Sequence, residues 1–127
     1  MMKFYRDATV RTVRPEIFSR ETEELASRLA AEKANKRSQL RKFYDEVVRL
    51  NSLARNNPTD WENVLPFVHM LVAKAAYAEG RGLVTGEFVD FIKGSVDQVN
   101  NSVDLDVFAN VFEAFMGFYR KHRPRDN

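Results

Sequence analysis

Near the C-terminus, Leu105, Phe108, Phe112, Phe115 and Tyr119 recur three and four residues apart without a break. That spacing sets five large apolar side chains on one face of a helix, and such a face must be buried against partners. Elsewhere apolar residues recur in the same way, and no stretch alternates apolar and polar over a useful length, so strands are not needed. The expected fold is all-α: a single compact bundle of about five helices around a central apolar helix. With 127 residues, 44% hydrophobic and 12% aromatic, the chain has the length of one domain and the material for an unstapled core. It contains no cysteine, which excludes disulfides, thiolate metal sites and a cysteine nucleophile and fits a reducing cytoplasm. No signal-like or membrane-spanning apolar run occurs, so a soluble, cytoplasmic protein that does not engage a membrane is expected.

Proline, glycine and capping residues set the expected boundaries. Residues 1–14 read as a basic N-terminal arm, 15–123 as the helical bundle domain and 124–127 as a short C-terminal tail. Pro15 suits the first turn of a helix from Glu16 to Glu32 with Ile17, Leu25 and Leu29 inward, and its thin apolar face places it at the bundle's edge. Ser38 is expected to cap a second helix with the stripe Leu40, Phe43, Val47, Leu50 and Ala54, stopped by Asn56-Asn57-Pro58. Thr59 or Asp60 caps a third, Trp61 to about Ala78. It is apolar almost all round and so is expected at the buried centre, with a kink or a displaced start at Pro66. After Gly80-Arg81-Gly82, Thr85 caps a fourth helix with Phe88, Val89, Phe91, Ile92, Val96 and Val99 apolar, and Asn100-Asn101 breaks it. Ser102 or Asp104 caps the last; Asp104 and Asp106 complement the positive end of its dipole, and Arg120, Lys121 and Arg123 the negative end.

Catalytic chemistry is hard to place on this sequence. His69 and His122 lie on separate segments, the first in apolar company that suggests a core histidine and the second in a basic tail. The pairs Asp104/Asp106 and Glu23/Glu24 are explained by helix-start chemistry and an exposed acidic face. No Glu-x-x-His spacing and no phosphate-cradling glycine motif is present, so no enzyme activity, metal or cofactor is expected.

Charge is more informative. The net charge is only +2, yet residues 1–14 carry +3, 33–55 carry +5 and 120–127 carry +3, against −3 over 15–32 and −6 over 56–119. Gathered cationic charge of this kind is expected of a surface that meets a polyanion. Residues 33–42 hold five cations and no acid at the start of the second helix, where each exposed cation opposes the macrodipole by roughly 0.3 to 1 kcal/mol. A phosphate would offset that. Free backbone N–H groups, Ser38 and Gln39 as neutral donors, and Lys36, Arg37, Arg41 and Lys42 as charge together suggest an anion cradle. The competing reading is ordinary surface pairing of Arg41 with Asp45, Lys42 with Glu46 and Asp45 with Arg49. It leaves Lys42 and Arg49 open and favours binding for Lys36 and Arg37. Phe43, Phe88, Phe91, Phe108, Phe112 and Phe115 have core spacing, so contact with a nucleic-acid backbone is expected rather than base stacking; Tyr44 and Tyr77 stay open.

Taken in order, Ser38-Gln39-Leu40-Arg41-Lys42-Phe43-Tyr44 with Val47, Leu65-Pro66, Ala76-Tyr77-Ala78 with Arg81, Phe112-Glu113-Ala114-Phe115 and Tyr119-Arg120-Lys121-His122 resemble the small subunit of type III-A CRISPR-Cas effector (Csm) complexes. The resemblance covers about residues 35 to 122. It implies a non-catalytic helical protein of antiviral defence, present in several copies that stack inside a ribonucleoprotein beside repeat-family backbone subunits and a large polymerase-like subunit. Its basic face would line the path of target RNA paired to crRNA. The resemblance sets a Ser-Gln-x-Arg-Lys element on Ser38, Gln39, Arg41 and Lys42 and a Tyr-x-x-x-Arg element on Tyr77 and Arg81, with Glu113, Tyr119 and His122 also matching. The expected RNA-binding set is Lys36, Arg37, Ser38, Gln39, Arg41, Lys42, Arg49, Arg81 and Lys121. The arm from Lys3 to Arg14 departs from the pattern and could be disordered, touch a neighbouring subunit or order on RNA. The alternative is a helical adaptor or homodimeric scaffold that binds acidic protein surfaces without nucleic acid.

Overall fold

Pro15 opens a short 3₁₀ turn, Pro15–Phe18, and the backbone leaves the helical region at Ser19 before the first helix begins. In this computed structural model, which describes residues 2–7, 9 and 11–126, five helices follow: α1 Arg20–Ala30, α2 Arg37–Asn56, α3 Trp61–Gly80, α4 Gly86–Val96 and α5 Ser102–His122. Ala8 and Val10 of the expected arm, Asn127 of the tail and Met1 lie outside the described residues. No strand occurs among the described residues; one isolated antiparallel bridge joins Tyr5 and Val13. The all-α expectation holds.

The apolar helix at the centre is α5. Leu105, Phe108, Val111, Phe112, Phe115 and Tyr119 expose no surface, and α1 and α2 pack along its sides. Thr22 and Ala26 join Leu25 and Leu29 on the buried face of α1; these small side chains let the helix approach α5 closely. The central position expected for the third helix is thus corrected. Only Val64, Val68, Leu71, Ala75 and Ala78 of α3 are buried, against α4 and α2, while Phe67, Met70 and Tyr77 are 56%, 49% and 68% exposed. His69, expected in the core, is also exposed. An all-round apolar sequence does not say whether its outer half is covered, and here that half faces outward. The helix runs through Pro66 as one element starting at Trp61, so no start is displaced.

Aromatic rings fill the space between α2, α4 and α5. Phe88 meets Phe43 edge-on with centroids 5.3 Å apart. Phe91 stands edge-on to Phe112 and stacks on Phe115, which stacks in turn on Tyr119. These are favoured geometries for quadrupolar rings, and they consume the faces that base stacking would need. At the end of α3, Gly82 adopts φ 73°, Leu83 N–H reaches Ala78 C=O and Gly82 N–H reaches Glu79 C=O. This is a glycine-terminated helix end with its carbonyls satisfied.

Asp104 differs from its expected role as a cap or dipole partner at the start of the last helix. Asn101 caps α5 instead, accepting from Asp104 N–H at 2.9 Å, and the Asp104 side chain is fully buried. Its carboxylate accepts from the Tyr5 hydroxyl, the Arg11 guanidinium and Asn100 N–H. Phe4 is buried against Phe108, and its N–H donates to Gln98. The arm is therefore fastened to the start of α5. Burial works to raise the Asp104 carboxyl, but its donors outweigh that and hold it below the ordinary carboxylate range. A depressed carboxyl adds stability at neutral pH that disappears as pH falls through its folded pKa. Asp104→Asn should therefore lower stability at pH 7 by about 1–3 kcal/mol. In urea denaturation the two proteins should converge well below pH 4, about where free carboxylates protonate.

Candidate nucleic-acid interface

The start of α2 is positioned by a polar knot at the end of the bundle. The turn between α1 and α2 needs one residue in the left-handed region, and Asn35 supplies it at φ 62°, a conformation asparagine tolerates better than most residues. Its side chain donates to Thr85 Oγ1 at 2.9 Å and to Leu29 C=O at 3.3 Å, and its Oδ1 accepts from Thr85 N–H at 2.8 Å. Thr85 therefore makes no side-chain cap for α4, contrary to expectation; its hydroxyl is engaged with Asn35. The Tyr119 hydroxyl donates to Asn35 C=O. Arg123, expected at a solvated helix end, is 7% exposed, and its guanidinium donates to the carbonyls of Glu32, Lys33, Ala34 and Asn35.

Beyond that knot, α2 opens without a side-chain cap of its own; Lys36 occupies the N-cap position. Ser38, the expected cap, lies inside the helix. The first N–H groups are met by Asp126 from the other end of the chain, which accepts from Arg37 N–H at 2.6 Å and Ser38 N–H at 3.1 Å. Burial tends to raise the Asp126 carboxyl, yet the Ser38 and Arg37 N–H groups bring it below the ordinary range. The Arg37 guanidinium donates to the carbonyls of Arg123 and Pro124. Beside this contact lies a cleft of about 270 Å³ lined by Arg37, Ser38, Arg41, Met116, Arg120 and Asp126.

Folding thus brings the first part of the 33–55 segment, around Lys36 to Lys42, together with the 120–127 segment at one end of the bundle, while Arg55 at the far end of α2 pairs with Asp106 near the start of α5. Arg81 belongs to the same end, because Asn35 N–H donates to Leu83 C=O just beyond it. The third segment is fastened to Asp104, nineteen residues before Arg123, which is about 28 Å along a helical rise. Among the described residues no group of side chains could hold a metal ion, and no helix is long and apolar enough to cross a membrane.

The family model Csm2 Type III-A matches residues 14–125. The chain belongs to the Csm2 family. It is accordingly a small subunit of a type III-A CRISPR-Cas effector complex, in which it works with other subunits, and the family is one of structural, generally non-catalytic subunits. No curated protein and no solved structure gives a match.

The expected RNA-binding residues of this Csm2-family chain are partly gathered and partly dispersed. Lys36, Ser38, Arg41 and Lys42 are exposed and Arg37 and Gln39 half-buried around the start of α2. Arg41 pairs with Asp45 at 3.3 Å. Arg49 lies further along α2 and pairs with Glu46 at 2.8 Å, rather than with Asp45; Glu46 also reaches Lys74 of α3 at 3.4 Å. The Arg81 guanidinium lies over the Tyr77 ring at 5.8 Å. Lys121 turns to α1, where it and His122 share Glu23 at 3.2 Å. These exposed pairs are weak, screened by solvent, and leave their cations able to exchange partners.

Sequence reasoning did not assign Arg120, Arg123 and Asp126 to this end as a site. The signal available was the basic tail itself, a +3 segment directly after the longest apolar stripe. Arg123→Lys keeps the charge but loses the planar fork that spans four carbonyls. It should lower stability in urea denaturation by about 2 kcal/mol or more and speed hydrogen exchange at Arg37 and Ser38.

Proposed function

We propose that this protein is a non-catalytic, cytoplasmic subunit of antiviral defence that holds the sugar-phosphate backbone of target RNA and crRNA at the cationic end of its bundle. Several copies stack within the complex. The observation that carries this reading is the meeting of the first cations of α2 with the basic tail around the start of α2, beside a cleft walled by Arg37, Arg41 and Arg120. Lys36, Lys42 and Arg81 have no ion pair among the described residues and extend the same end. Backbone contact fits better than base readout, since the phenylalanine rings are committed to the core.

The outward apolar residues of α3 support contact with protein neighbours, whether other copies, the repeat-family backbone subunits or the large polymerase-like subunit. Phe67, Met70 and Tyr77 are more exposed than a free-standing small protein requires. Glu113 is exposed and available to such a neighbour, whereas Tyr119 supports the knot from inside. The same apolar face favours the second reading, a scaffold that binds protein alone.

Single-stranded RNA should bind with little sequence preference and with a log–log salt slope near −0.7 per neutralised phosphate. Joint reversal of Lys36, Arg41, Lys42 and Arg120 to glutamate should weaken binding at least about tenfold at low salt, because several phosphate contacts are lost. The helical circular dichroism should not change. Affinity measured both on the subunit and on assembled complexes, where stacked copies add avidity, checks this. A folded quadruple variant that binds RNA and assembles normally overturns the reading. Self-association by mass without nucleic acid, together with no RNA binding, selects the scaffold.

A further inference from the structure

Cations at the positive end of a helix dipole call for an anion, and in the free protein one is already present. Asp126 is the only acid after Glu113 in the sequence. It places both carboxylate oxygens on the first two free N–H groups of α2, in the wall of the arginine cleft. A phosphodiester presents the same feature, two anionic oxygens, to the same kind of donors. Two N–H groups cannot serve both anions at once.

We infer that Asp126 is a built-in occupant of a phosphate subsite formed by the Arg37 and Ser38 N–H groups with Arg41 and Arg120, and that a backbone phosphate of bound RNA displaces it. This rests on the proposed RNA-backbone reading and adds a regulatory element to that site. The segment around Asp126 is held by few contacts: the carbonyls of Arg123 and Pro124 accept from Arg37, and Pro124 and Arg125 are exposed. Arg123 remains locked in the knot, so releasing Asp126 moves only the residues beyond it.

Tethering makes the exchange selective. The carboxylate competes from an effective concentration in the millimolar range or above, which excludes inorganic phosphate at ordinary concentrations. An RNA strand also held by Lys36, Lys42 or Arg81 delivers its phosphate to the subsite at a comparable effective concentration and can replace the carboxylate. The gate thus admits a strand and rejects the free anion.

The test uses full-length Asp126→Asn and Asp126→Ala with a single-stranded oligouridine. The asparagine keeps one oxygen on the helix N–H groups and so keeps α2 capped. Both variants should bind RNA about three- to tenfold tighter than wild type at low salt, because apparent affinity is reduced by the fraction of protein whose site is closed. In wild type, RNA should move the Arg37 and Ser38 amide signals, and inorganic phosphate at equal phosphorus concentration should not; in Asp126→Asn, phosphate should move them. Folded variants that bind RNA no tighter than wild type, or more weakly, overturn the gate and leave Asp126 a helix cap. Phosphate alone displacing the tail in wild type overturns it as well. If the quadruple reversal loses RNA while Asp126→Asn changes nothing, only the gate fails; if that reversal keeps RNA binding, the underlying reading fails.

Discussion

The buried guanidinium of Arg123 organises the cationic end of this molecule. It donates to four successive residues' carbonyls, Glu32 to Asn35, in a turn that no helix or strand could satisfy. A turn of that kind ordinarily depends on water for its carbonyls. Here the last residues of the chain supply the donors. With the Tyr119 hydroxyl on Asn35 and the Asn35 amide bridging to Thr85, one charged side chain fixes the end of α1, the start of α2, the turn after α3 and the start of α4. Because the charge is buried and met by neutral oxygens, losing the guanidinium would leave several carbonyls without donors at once.

The same logic operates at the opposite end of α5, with the sign reversed. There a buried carboxylate, Asp104, gathers Tyr5, Arg11 and Asn100. The central helix is thus held at its first turn by an anion and just past its last by a cation. Between the two lies the aromatic stack, which needs no polar support. Basic arm and basic tail are therefore kept far apart, and the tail joins the cations at the start of α2, whereas Arg55 at its far end pairs with Asp106.

Much of the fold was legible in the sequence. Every member of the stripes Leu40, Phe43, Val47, Leu50, Ala54 and Leu105, Phe108, Phe112, Phe115, Tyr119 is buried, because a helix's period of 3.6 turns spacing directly into a face. Caps were less legible. Ser38 and Thr85 carry the right side chains, yet the Asp126 carboxylate from a distant part of the chain meets the first N–H groups of α2, and the Asn35 amide engages the Thr85 hydroxyl that would have capped α4. The centre was misassigned for a related reason: α3 is more uniformly apolar than α5, and hydropathy cannot report that Phe67 and Met70 have nothing of this chain to cover them. Of the candidate site, the clustering of Lys36 to Lys42 was legible from charge alone, while the structure sets Arg49 and Lys121 in separate ion pairs on other flanks.

The sequence by itself determined that this chain is helical, that α5 has a buried stripe, and that positive charge is concentrated in three segments, since all three follow from residue type and local spacing. Only the tertiary structure decided which cationic segments meet, that Arg123 is buried rather than solvated, and that Asp126 caps a helix 88 residues away. Those outcomes depend on how helices of given length return the chain to a common end. The physical reason is that side-chain periodicity is a local property, whereas partners for buried charge and free helix ends are assigned by proximity in three dimensions.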